Sequence, residues 1–89
     1  MASGVERFLD SQARLVVWPS KQQDKQLVCE YLATKFVVGQ SYNEVEVNDL
    51  LKAWHTFSDW PLLRRELYDR RLLDRNTDGS DYCRPGVMI

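Results

Sequence analysis

Between Asn43 and Asp59 the chain carries two helix-start signals, and the interval leaves room for one short helix and a tight turn. Asn43 with Glu46 has capping-box spacing. Ser41 with Glu44 offers a second such box, but the Asn43 start also places Tyr42 before the cap and Val47 at the fourth helical position, the arrangement of a hydrophobic staple. Val47, Leu50, Leu51 and Trp54 then fall on one helical face. Asp59 caps the next helix, with Pro61 in its first turn where a missing N–H costs nothing. Leu63 and Leu67 face inward with Leu62 beside them. After Arg70 the period shortens from helix to strand. Leu72–Arg75 and Ser80–Arg84 flank Asn76-Thr77-Asp78-Gly79, a polar segment ending in Asp-Gly that reads as a hairpin turn.

Upstream, Val5, Phe8 and Leu9 fit a short helix, and Leu15-Val16-Val17-Trp18 reads as a strand stopped by Pro19. Ser20 with Gln23 makes a further capping box ahead of an apolar stripe of Leu27, Val28, Tyr31, Leu32 and Phe36, with Gly39 as its stop. The expected helices are near 20–37, 43–56 and 59–70. A lone early strand pairing with a late hairpin, under three helices, is an α+β winged helix, with the second and third helices as its helix-turn-helix and the hairpin as its wing. With 89 residues, 44% of them hydrophobic, one domain over 1–89 is expected, its core running from about 15 to 84.

Charge and residue types exclude several functions. The formal net charge is -1, against a strongly basic nucleic-acid arm. Apolar runs are far shorter than the roughly 20 residues that span a bilayer, and charge enters where a signal peptide needs apolar residues, so a cytoplasmic protein without membrane contact is expected. Cys29, Cys83 and the single histidine His55 supply neither zinc-ligand spacing nor a nucleophile–base pair. No Gly-rich phosphate loop appears. The expectation is therefore no enzyme, no metal and no cofactor. His55, at the end of the second helix, reads as a cation or a hydrogen-bonding cap there, and Cys29 as a buried inert thiol.

The segment Trp60–Arg75 holds Arg64, Arg65, Arg70, Arg71 and Arg75 against Glu66, Asp69 and Asp74, a net-basic stretch. If the third helix reads nucleic acid, Arg64, Arg65, Tyr68, Arg71 and Arg75 are the contact residues, since guanidinium forks suit phosphates and guanine edges. Trp60 is the candidate anchor for a partner protein. The competing structural reading pairs Arg64 or Arg65 with Glu44 or Glu46 of the preceding helix, so that the charges hold two helices at their angle.

Tyr42-Asn43-Glu44-Val45-Glu46-Val47-Asn48, then Asp59 and Leu63-Arg64-Arg65-Glu66-Leu67, then Leu73-Asp74-Arg75 and Gly79 to Tyr82, together resemble the bacterial domain of unknown function numbered two thousand and eighty-seven. The resemblance covers roughly Leu15 to Arg84. It implies a winged helix that occurs alone or attached to bacterial transcriptional regulators. Asn43 stands where that pattern has Thr or Ser, and caps about as well. Arg71 stands where it often has glycine. Two functions follow as expectations: a regulator-associated module binding DNA weakly through the third helix, or a protein-interaction or homodimerisation module that binds no DNA.

Overall fold

The computed structural model describes residues 4–76 and 80–85. After a single 3-10 turn at Val5–Phe8 come helix α1 (Gln22–Ala33), strand β1 (Ser41–Asn43), α2 (Glu44–Ala53), α3 (Trp60–Asp69), β2 (Asp74–Arg75) and β3 (Asp81–Cys83). The three strands form one antiparallel sheet in the order β1-β3-β2. Three helices and this sheet make an α+β fold, an arrangement compatible with a winged helix.

The sheet's third strand is not Leu15–Trp18. Leu15 is fully buried but forms only isolated bridges, to Leu9 and to His55, and Val16 and Val17 are exposed. Its backbone joins the end of α2 instead: Leu15 N donates to Trp54 O (2.9 Å) and Thr56 N to Leu15 O (3.0 Å). Ser41–Asn43 takes the strand position, with Tyr42 opposite Tyr82 and both rings buried. A cross-strand aromatic pair outweighs the β-propensity of two valines that find no partner strand. The Tyr42 hydroxyl accepts from Val37 N (2.7 Å), and its ring meets Phe36 edge-on at 5.1 Å.

Asn43 ends β1 and begins α2 in one residue. Its extended backbone suits both roles, and the capping box closes as expected: Glu46 N donates to Asn43 Oδ1 (2.8 Å) and Asn43 N to Glu46 Oε1 (2.9 Å). Asp59 caps α3 through Leu62 N at 3.4 Å. The start of α1 differs from expectation. The helix begins at Gln22 behind Lys21, with no side-chain cap, so the Ser20–Gln23 box is not formed. It also ends at Ala33, well before Gly39, where the Thr34 hydroxyl donates to Tyr31 O (2.5 Å). That local bond closes the last turn. Val28, Cys29 and Leu32 of α1, Val47 and Leu51 of α2, and Leu63 and Leu67 of α3 meet Leu15, Phe36 and Leu73 in one fully buried core. Burial pushes the Cys29 thiol up to about 12, partly offset by Arg70, so it stays protonated and inert at neutral pH.

The C-terminus of α3 closes as a Schellman motif. Arg71 N donates to Tyr68 O (3.0 Å) and Leu72 N to Leu67 O (2.9 Å), which requires a left-handed residue between them. Arg71 takes that conformation, with φ 62°. A side chain there costs roughly 1–2 kcal/mol, against about 0.5–1 kcal/mol of extra chain entropy that glycine loses on folding. Arg71→Gly is therefore expected to stabilise the domain by about 0.5–1 kcal/mol and raise Tm by several degrees. A thermal melt no higher than wild type would show that the helix end carries no such strain.

On the hairpin side, Asn76 holds the two arms together. Its Oδ1 accepts from Ser80 N (2.9 Å) and Asp81 N (3.2 Å), and its own N–H donates to Asp81 O (3.0 Å). The remaining turn residues, 77–79, lie outside the described residues.

Candidate functional site

The exposed side of α3 and the root of the hairpin form one surface. Arg64, Arg65 and Tyr68 come from α3, Arg75 from β2, Tyr82 from β3 and Glu44 from the first turn of α2, and together they line a depression of about 190 Å³. The helical period puts Arg64, Arg65 and Tyr68 on one face, opposite buried Leu63 and Leu67. Strand β2 then brings Arg75 back beside them, with its guanidinium over the Tyr68 ring at 4.8 Å. Hydrogen bonding to Tyr82, and more weakly to Tyr68, pushes the Arg75 guanidinium above its ordinary value, so it is a fixed positive charge.

The two adjacent arginines divide their roles. Arg64 is about three-quarters covered, its Nη1 donates to Asn48 Oδ1 (2.5 Å), and its Nη2 lies 3.9 Å from Glu44 Oε1. It thus reaches back to α2, and its main partner is an amide rather than a carboxylate. Arg65 is 80% exposed and faces Asp69 one turn on, at 3.5 Å. Glu46 meets neither arginine, because its carboxylate closes the capping box of its own helix. Of the four residues expected to pair between helices, the structure brings Glu44 and Arg64 together; Glu46 and Arg65 pair within their own helices.

Arg71 sits apart from this notch, in a neighbouring depression that it shares with Tyr68, Asp69 and Asp74. Trp60 is half-buried rather than exposed, packed on the core with Lys52 Nζ 4.4 Å from its ring centroid.

Two polar side chains outside the expected set organise the helices that carry the notch. Arg70 is 18% exposed; its Nε donates to Glu66 (2.9 Å), Nη1 to Gln26 (3.0 Å) and Nη2 to Gln22 (3.2 Å), which clamps the end of α3 to the start of α1. The Glu66–Arg70 spacing was a readable signal, with the acid four residues ahead of the base. His55 is buried, and its ring bridges α2 and α3: Nδ1 lies 2.5 Å from Leu51 O and Nε2 accepts from Asp59 N (2.9 Å). With Nδ1 facing a carbonyl and Nε2 a backbone N–H, the ring serves as a hydrogen-bonding cap at the end of α2. Phe57 packs edge-on against it at 4.8 Å.

Among the described residues no group of three or more His, Cys, Asp or Glu is placed to hold a metal ion, and no helix is long and apolar enough to cross a membrane. The notch itself offers guanidinium groups, which pair with anions, and the Tyr68 ring, which can stack. No curated protein and no solved structure matches this chain. A family model does, over residues 14–84, from just before Leu15 to the end of the sheet. The chain belongs to DUF2087, the family described as uncharacterized protein conserved in bacteria.

Proposed function

We propose that the domain is a cytoplasmic winged-helix module of bacterial transcriptional regulation that binds nucleic acid weakly, with α3 and the hairpin root as its contact surface. The observation that carries this reading is the convergence of Arg64, Arg65 and Arg75 around Tyr68 in one depression. Three guanidinium groups on a helix face and the adjoining strand suit phosphate oxygens, and the aromatic ring between them suits a base.

The footprint is small. Glu44 lines the same depression, Asp69 and Asp74 line the next one, and Arg70 is occupied by Glu66. About three phosphate contacts are available, so a log–log plot of duplex affinity against salt should have a slope of about -3 or shallower. Titration of labelled DNA, duplex and single-stranded, at low and moderate salt checks this. Tight binding that survives high salt would contradict the surface described.

Exposed Val37, Val38 and Val45, on a chain of net charge -1, favour a second reading as a protein-interaction or homodimerisation module. Failure to bind either form of DNA at low salt, together with a mass in solution that rises with concentration, would select it.

A further inference from the structure

We infer that the notch around Tyr68 takes one backbone phosphate together with one unpaired base, so that the ligand of this surface is a single strand rather than a duplex. This rests on the nucleic-acid reading above and names its substrate class.

The first reason is electrostatic. Duplex DNA presents a negative charge about every 1.7 Å along its axis. A rod of that charge density laid on α3 would cross carboxylates as well as arginines: Glu44, 58% exposed, lies in the notch, Asp69, 54% exposed, faces Arg65, and Asp74 lines the adjoining depression. A single strand bends and spaces its phosphates further apart. One phosphate can then meet Arg65 and Arg75 while its neighbours avoid the acids.

The second reason is the ring. Tyr68 is 41% exposed, and Arg75 lies over it at 4.8 Å. The guanidinium covers one face of the ring, so an incoming base has the guanidinium itself or the open remainder of the ring to stack on. An unpaired base meets such a surface with its π face, which a base inside a duplex keeps stacked on its neighbours.

The third reason is how the arginines are partnered. Arg64 is held by Asn48, and the Arg75 guanidinium rests on the Tyr68 ring, so two of the three guanidinium groups already have partners within the domain. Arg65, highly exposed and facing Asp69 across 3.5 Å, is the free arm that can swing onto a phosphate.

The test uses the full chain and fluorescence anisotropy with labelled oligo(dT) and oligo(U) of about 12 nucleotides, and with a duplex of equal length. Single strand is expected to bind at least about tenfold more tightly than duplex at the same salt. Binding of either oligonucleotide supports the inference, and their ratio identifies the natural source of the strand. Tyr68→Ala should weaken single-strand binding by about tenfold or more, while Tyr68→Phe retains it. Arg65→Ala, at a side chain remote from the core, should lower the salt slope by somewhat less than one. Duplex binding as tight as single-strand binding, or a folded Tyr68→Ala protein with unchanged affinity, would overturn the inference and leave the nucleic-acid reading standing. No binding to any of the three probes would overturn both.

Discussion

Replacing His55 with alanine is expected to destabilise the domain by about 3 kcal/mol and lower Tm by roughly 12–20 °C. The ring is buried between the end of α2 and the cap of α3. Its removal takes the acceptor from Asp59 N, one partner from Leu51 O and the edge contact from Phe57. Leu51 O keeps the Trp54 N–H at 3.1 Å, so the heavier losses are the Asp59 N–H and the space the ring filled. An orphaned part-buried donor costs about 1–3 kcal/mol and the cavity adds to it. His55→Phe separates the two effects. It keeps most of the ring volume but neither nitrogen, and should lose about half as much. Urea denaturation of both variants checks the assignment: an alanine variant within 0.5 kcal/mol of wild type would mean that the bridge contributes nothing.

The same bridge also supports the helix that carries the candidate site. His55 fixes how the turn after α2 hands the chain to Asp59, and Asp59 starts the helix that carries Arg64, Arg65 and Tyr68.

What the sequence made legible was local. The Asn43–Glu46 box and the Asp59 cap with Pro61 each involve groups within four residues of one another, and both stand in the structure where the residue types place them. The misread elements depended on distant partners. Leu15–Trp18 has strand propensity, but among the described residues the backbone of Leu15 and Val16 pairs with Phe8–Leu9 and Trp54–Thr56, outside the three-stranded sheet. Tyr42 was readable as a staple and not as a strand residue, because its pairing with Tyr82 lies across half the chain. Ser20 had the right spacing for a cap, yet the helix starts at Gln22, and Asp24 of its first turn pairs with Arg7 at 2.6 Å. At the candidate site, residue types identified the basic helix, but not which arginine is tied. That follows from the crossing of α2 and α3, which sets Asn48, not Glu46, opposite Arg64.

Arg70 is where sequence and packing meet, and its loss is the second large effect. Its guanidinium fork bonds three side chains on two helices, at 18% exposure. Arg70→Ala is expected to cost about 2–3 kcal/mol. Hydrogen bonds to a charged group contribute about 1.5–3 kcal/mol, and a partly buried pair sits below the 3–5 kcal/mol of a fully buried one. Much of the cost is the orphaned Glu66, a carboxylate 25% exposed beside the Cys29 thiol, which it already pushes up. Arg70→Lys should recover only a minor part, because a single ammonium cannot reach Glu66, Gln26 and Gln22 together. Adding Glu66→Gln to Arg70→Ala should restore about 1 kcal/mol, since it removes the stranded charge without changing shape. Urea midpoints for the single and double variants decide the matter. If Glu66→Gln gives no recovery in the Arg70→Ala background, the clamp acts through the two glutamines and the packing of the arginine stem, and the charge pair is incidental.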